Sequence, residues 1–193
     1  VIDGGTGSNS LTGSNVDIVW TIGPEANTIS ATRSTDSIAW VGQFSGIDAL
    51  IGGTGVDTFT INTAFTGRID GGAGDDTFNI NAAVKGDLIG GTGSDNFIVG
   101  ANGAATAIYG GTLAADGAPA SLDNQEINSL QGRSENNTWI HGEEAYVGET
   151  PQDNAELTKE NSYVKHFAGI NKLLGGDKAD IFNINTDFTG SID

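Results

Sequence analysis

The chain has 193 residues, with 25 acidic against 8 basic side chains and a formal net charge of −17 at pH 7. This balance argues against nucleic acid as a partner, because phosphate binding needs clustered lysine and arginine, and against docking on anionic membranes. The chain has no cysteine, which excludes a disulfide framework and a thiolate metal site. No apolar run approaches the ~20 residues of a membrane span, so we expect no membrane insertion.

The first part of the chain holds one glycine-rich motif and then an irregular segment. The motif GGTGSNSLT begins at Gly4, and the apolar Ile2 stands two positions before it. Residues 11–43 contain Trp20 and Trp40 and fit no fixed period. We expect irregular coils with protruding loops here. We also expect the tryptophans to pack inside a wider coil, with stacking on sugar rings as the alternative.

Residues 44–101 repeat a regular pattern of about 19 residues. Each glycine pair is followed by alternating apolar residues, which predicts a strand with one buried face. These residues are Phe59 and Ile61, Phe78 and Ile80, and Phe97 and Val99. The apolar residues two positions before each pair predict a second short strand: Leu50, Ile69 and Leu88. We therefore expect internal ladders of phenylalanine and of isoleucine or valine, with Asn62 stacked on Asn81.

Residues 102–166 are irregular again, and the regular pattern resumes over residues 167–193. The irregular part contains Trp139, Tyr146 and Tyr163, a degenerate motif at Gly110 and acidic stretches. We expect loops here, with a short helix over residues 154–161. The stretch FAGINKLLGGDKADIFNINTDFTGSID then repeats residues 44–70 at an offset of 123. Because the chain starts and stops within this pattern, we expect a piece of a longer protein.

A period near 20 residues is typical of a solenoid. The sequence therefore predicts an all-β fold, a parallel β-solenoid that runs as one continuous unit over residues 1–193. Both a β-roll and a right-handed β-helix are compatible with coils of this length.

The motifs GGTGVDTFT, GGAGDDTFN and GGTGSDNFI resemble the repeats-in-toxin nonapeptide of giant secreted and surface proteins of the bacterial adhesin type. The match is close over residues 52–98 and partial at Gly175 and at Gly4, where Asn9 replaces the aspartate. The resemblance implies calcium held at glycine turns. It nominates the following ligands: the carboxylates of Asp57, Asp76 and Asp95 and the backbone carbonyls of Gly52, Gly71 and Gly90. Only one motif occurs per coil, whereas the nonapeptides of the family usually follow each other directly. Calcium could therefore line one edge of the solenoid at most.

The stacked aspartates give a physical reason to expect a cation. Stacking would place Asp57, Asp76 and Asp95 about 5 Å apart. Each neighbouring pair of charges costs on the order of 1 kcal/mol in water and ~3 kcal/mol at an effective dielectric of 20. A divalent cation with roughly six to eight oxygen ligands would convert this repulsion into coordination. The alternative is that each aspartate only closes its turn by accepting backbone N–H groups, with no metal.

No catalytic motif is present, and we expect no enzymatic activity. His141 and His166 lie in no recognisable motif, and the chain lacks GxSxG, HExxH and a P-loop. The pair Glu143 and Glu144 could suit glycoside chemistry, but the eight basic residues are scattered and indicate no cleft for acidic sugars.

These features favour a structural role: a stalk or extension segment of a large secreted or cell-surface bacterial repeat protein, such as an adhesin, surface fibre or matrix protein. Its partners would be neighbouring repeats, through end-to-end self-association, and a glycan or surface partner. The alternatives are a glycan- or protein-binding module whose loops lie in residues 102–172, and an accessory domain of a secreted polysaccharide enzyme or toxin. The expected location is extracellular or the bacterial cell surface.

Overall fold

The computed structural model describes residues 2–23, 29–33, 39–113, 126–141, 155–158, 163–184, 188 and 190–193. Every regular element in these residues is a strand, which confirms the predicted all-β class. The helix predicted over residues 154–161 is wrong for residues 155–158, which form a strand, and the rest of that range lies outside the described residues. The described part accordingly has no helix long and apolar enough to cross a membrane.

Twenty strands are described and are numbered in chain order. The first ten are β1 (Ile2–Asp3), β2 (Ser10–Thr12), β3 (Ile18–Ile22), β4 (Ile29–Arg33), β5 (Ala39–Ser45), β6 (Ala49–Gly53), β7 (Thr58–Ile61), β8 (Phe65–Thr66), β9 (Arg68–Ala73) and β10 (Thr77–Ile80). The others are β11 (Ala83–Thr92), β12 (Asn96–Val99), β13 (Ala104–Tyr109), β14 (Ser129–Gln131), β15 (Thr138–His141), β16 (Ala155–Thr158), β17 (Val164–Ala168), β18 (Lys172–Leu174), β19 (Ile181–Ile184) and β20 (Ser191–Ile192).

The strands form two sheets, and from β10 to β15 each strand lies in the sheet opposite to the strand before it. The first sheet has the order β1-β5-β4-β3-β7-β10-β12-β14-β18-β20. The second has the order β19-β15-β16-β17-β13-β11-β9-β6-β2, with β8 paired to β11. Each sheet therefore gains a strand every time the chain returns to it.

In the first sheet the regular strands pair in parallel, and the sequence repeat sets their register. Phe59 lies opposite Phe78, and Phe78 lies opposite Phe97. Their rings stack, with centroids 5.0 Å and 4.6 Å apart. At the end of these strands, Asn81 Nδ2 donates to Asn62 Oδ1 at 3.0 Å. The predicted phenylalanine ladder and asparagine stack are confirmed.

The second sheet repeats this register with the residues that precede the glycine pairs. Leu50 lies opposite Ile69, and Ile69 lies opposite Leu88. These side chains are fully buried and belong to one hydrophobic cluster with the phenylalanines of the first sheet, so the core lies between the sheets. Ile2, which stands two positions before the first glycine pair, is an exception, because it lies on β1, the outermost strand of the first sheet, and is 43% exposed.

The two tryptophan-containing segments form more regular structure than predicted. Strands β3, β4 and β5 form an antiparallel meander in the first sheet, and β15, β16 and β17 form another in the second. The expectation of loops is therefore wrong for these strands, and pairing is not parallel throughout. Trp20 lies opposite Phe59, and Trp139 lies opposite Phe182, so each meander joins an aromatic row. The two meanders lie at opposite ends of the two sheets.

Candidate functional site

The glycine turns connect a strand of the second sheet to the next strand of the first. The second glycine of each regular pair has a positive φ: 131° at Gly53, 99° at Gly72 and 108° at Gly91. Side chains other than glycine are strained in this region, so the backbone conformation explains this position. An aspartate stands at the end of each turn, immediately before the next strand of the first sheet, as Asp76 does before β10.

The first glycine of each pair is required by space. A Cβ on Gly71 would stand closer than 3.0 Å both to Asp76 Oδ2 of its own coil and to the carbonyl oxygen of Gly90 in the next coil. Gly52 and Gly90 have the same two kinds of neighbour. The structure therefore brings each predicted glycine against the predicted aspartate of its own coil. The pairs are Gly52 with Asp57, Gly71 with Asp76 and Gly90 with Asp95.

The three carboxylates form what we call the aspartate column: Asp57, Asp76 and Asp95. They are 0%, 0% and 1% exposed, so they point into the protein. One oxygen of each, Oδ1, accepts a backbone N–H from the preceding coil. The donors are Ile18 to Asp57 at 2.7 Å, Asp57 to Asp76 at 2.7 Å, and Asp76 to Asp95 at 2.9 Å. The column thus links coils, whereas an Asx turn would bond within its own turn.

The second oxygen of each column carboxylate, Oδ2, is buried and has no hydrogen-bond partner. Burial raises the pKa of Asp57, of Asp76 and of Asp95 to about 7 in each case. The hydrogen bond that Oδ1 accepts lowers each pKa, but less than burial raises it. A buried polar atom without a partner is rare in folded proteins, because leaving it unsatisfied costs ~1–3 kcal/mol.

Asparagines occupy the equivalent position at three other turns, of which the sequence pattern indicated only Asn9. Asn128 continues the column, since its Oδ1 accepts the backbone N–H of Asp95 at 2.7 Å. In each of the three, the side-chain Nδ2 donates to the carbonyl of the counterpart glycine in the neighbouring strand. These bonds are Asn9 to Gly46 at 2.9 Å, Asn128 to Gly169 at 3.2 Å and Asn137 to Gly175 at 2.5 Å.

The arrangement of the column does not fit a calcium ion. Among the described residues, no three or more His, Cys, Asp and Glu side chains gather where a metal could be held. Calcium takes roughly six to eight oxygen ligands, whereas one oxygen of each column carboxylate accepts an N–H and the other is enclosed against a glycine. The calcium role assigned from the sequence to Asp57, Asp76 and Asp95 stays a prediction, as does that of the carbonyls of Gly52, Gly71 and Gly90.

The aromatic residues of the irregular segments are packing residues wherever their side chains are described. Trp20, Trp139 and Tyr163 are 0%, 1% and 4% exposed. Tyr163 donates to Asn137 Oδ1 at 2.5 Å, and the Arg133 guanidinium lies 4.1 Å from the centre of its ring. These three aromatics therefore offer no surface to a sugar. Tyr146 and the pair Glu143 and Glu144 lie outside the described residues, as do the side chains of Trp40, His141 and His166.

No protein-family model, no curated protein and no solved structure matches the chain. The resemblance to repeats-in-toxin proteins is therefore carried by the quoted motifs alone.

Proposed function

We propose that the chain is a structural extension segment of a large secreted or cell-surface bacterial repeat protein, built as a parallel β-solenoid without enzymatic activity. The observation that carries this proposal is the register of the regular coils. Strands nineteen residues apart pair in parallel with like residues opposite one another, as Phe59, Phe78 and Phe97 do. Each coil therefore adds the same layer to the same two sheets, and the stack grows in one direction.

The two ends of the stack favour continued stacking. The outer strands are β1 and β20 in the first sheet and β19 and β2 in the second. Large apolar side chains are exposed on three of them: Ile2 on β1, Ile181 and Ile184 on β19, and Ile192 on β20. An outer strand also presents unpaired backbone groups that can extend a sheet. We propose that neighbouring repeats, or a second copy of the chain, cover these ends.

The buried interior supports a mechanical role. It consists of rows of side chains that pack on their counterparts in the next coil, so stability is approximately a sum of nearest-neighbour terms. The formal charge of −17 would keep such an extended surface soluble and self-repelling along its sides. This favours contact at the apolar ends over contact at the sides.

Small-angle X-ray scattering on proteins containing one, two and three tandem copies of the chain tests this proposal. Ten strands per sheet at a spacing of about 4.8 Å give a stack roughly 45 Å long for one copy. We expect the maximum dimension to rise by a constant increment per copy while the cross-sectional radius stays unchanged. Copies that fold as separate bodies on flexible connections, or that collapse into one compact body, would contradict the proposal.

A further inference from the structure

We propose that Asp57, Asp76 and Asp95 are neutral carboxylic acids in the folded protein. Each binds a proton on Oδ2 and donates it to the carbonyl of the counterpart glycine in the next coil: Gly71, Gly90 and Gly110. The aspartate column is then a buried proton-binding site, and its protonation tightens the contact between coils. This inference rests on the geometry of the column and not on the proposed stalk function.

The asparagine coils show which hydrogen-bonding group this position requires. Asn128 follows Asp95 in the column and packs against its own glycine, Gly110, as Asp95 packs against Gly90. Its Oδ1 accepts a backbone N–H, as the aspartates do, and its Nδ2 donates to the carbonyl of Gly169. Asn9 and Asn137 make the same kind of donation at turns that lead into the second sheet. A protonated aspartate has the same shape and the same pair of one acceptor and one donor.

The surroundings of Oδ2 lead to the same conclusion. Asp76 Oδ2 and the carbonyl oxygen of Gly90 both approach the same face of Gly71, where a Cβ would clash with each of them. The same pair of oxygens meets at Gly52 and at Gly90. Both oxygens are acceptors when the carboxyl group is ionised, and Oδ2 then has no partner. A single proton between them gives Oδ2 a hydrogen-bond partner in that carbonyl.

The charged groups that act on the column oppose its ionisation. Asp17 raises the pKa of Asp57, Asp70 and Asp75 raise that of Asp76, and Asp75 and Glu126 raise that of Asp95. Column neighbours add to this, because Asp76 raises the pKa of Asp57 and of Asp95. Arg68 forms an ion pair with Asp70 and is half-exposed. A proton therefore removes both a buried charge and a row of like-charge repulsions.

The sign of the pH dependence follows from linkage. Each column carboxyl has a pKa of about 7 when folded, against an ordinary value of 3.8. The folded state therefore holds more protons than the unfolded state between pH 4 and pH 7, and stability falls as pH rises through that window. The contribution is fully present below pH 3.8 and is lost above about pH 7. Since the three groups interact, they titrate as a set over a broad range.

Carbon-13 NMR of the side-chain carboxyl groups tests the proposal directly on the wild-type chain. We expect three carboxyl resonances to stay at the protonated position at pH 5 and to titrate near neutrality. In Asp76→Asn one of the three should disappear. In the control Asp75→Asn, which neutralises the exposed neighbouring aspartate, all three should remain. Three column resonances that are already ionised at pH 5 would overturn the proposal.

Thermal melts of the same variants separate a proton from a metal. Asp76→Asn should melt at a higher temperature than wild type at pH 8, where wild-type Asp76 is charged, and close to wild type at pH 5. Asp75→Asn keeps all three column carboxyl groups and removes only a neighbouring like charge, so its pH-dependent difference should be smaller than that of Asp76→Asn. A calcium-specific rise in the wild-type melting temperature at pH 8 that Asp76→Asn abolishes would overturn the proposal in favour of coordination.

Discussion

The backbone N–H of Asp57 donates a 2.7 Å hydrogen bond to Oδ1 of Asp76, nineteen residues further along the chain. The bond is buried and joins one coil to the next, and the same bond recurs between Asp76 and Asp95 at 2.9 Å. The repeated aspartate is therefore a connection between layers. Removing one should weaken the contact between two coils more than it disturbs its own turn.

We predict that Asp76→Ala is less stable than Asp76→Asn by about 1–3 kcal/mol, because alanine leaves the buried N–H of Asp57 without an acceptor. Asparagine keeps that acceptor, as Asn128 does for Asp95. Urea unfolding of both variants at pH 5 measures the difference. Equal stability of the two variants would show that the bond between coils contributes nothing.

Gly71→Ala should destabilise the chain by about 3 kcal/mol, at the upper end of the usual cost of overpacking. Its Cβ would collide with Asp76 Oδ2 and with the carbonyl oxygen of Gly90, since both would lie closer than 3.0 Å. Thr92→Ala, at the exposed last residue of β11, is the control and should stay within about 0.5 kcal/mol of wild type. A near-neutral Gly71→Ala in thermal or urea unfolding would mean that the carboxyl group lies elsewhere.

Phe78→Ala should lower the free energy of unfolding by about 3–5 kcal/mol. Phe78 is fully buried and stacks on both Phe59 and Phe97, so its loss opens a cavity in the middle of the row. Asn79→Ala, on the outward face of the same strand, provides the control and should cost far less. If both variants unfold at the same urea concentration, the aromatic row is not the stabilising element.

Self-association should depend on the apolar ends of the stack. We predict that Ile181→Lys, on the outer strand β19, raises the apparent dissociation constant of end-to-end assembly at least about tenfold, through loss of apolar burial and added charge. Val56→Lys is the matched control, since Val56 is 50% exposed but lies in a turn away from the ends. Sedimentation velocity over a concentration series measures both, and equal weakening by the two substitutions would contradict association through the ends.

The sequence predicted the regular strands and their register well because two periods coincide there. Apolar alternation identified the strands, and the spacing of nineteen residues fixed which side chains lie opposite each other, as Phe78 does with Phe97. The meanders could not be predicted in this way. Strand β4 pairs in antiparallel fashion with both of its neighbours, and nothing in its short sequence ISATR specifies a partner or a direction.

The members of the candidate site could be predicted from the sequence, whereas the surroundings of their carboxyl groups could not. The repeat identified Asp57, Asp76 and Asp95 as a stacked set with their glycines, and the structure places them so. Alternation and spacing could not show that the carboxyl groups face backbone atoms inside the stack, because this depends on how closely the next coil approaches. The useful signal was Asn9 in place of an aspartate, since an amide resembles a protonated carboxyl group.

The central claim is that a proton, and not a cation, completes the aspartate column. The most direct measurement is the melting temperature of wild type and of the triple variant Asp57→Asn, Asp76→Asn, Asp95→Asn, at pH 5 and pH 8, in chelator and in calcium. We predict that raising the pH from 5 to 8 increases the melting temperature of the triple variant relative to that of wild type. This increase should be the same in chelator and in calcium. Two results together would contradict the account: calcium at pH 8 raises the melting temperature of wild type but not that of the triple variant, and the triple variant is the less stable of the two.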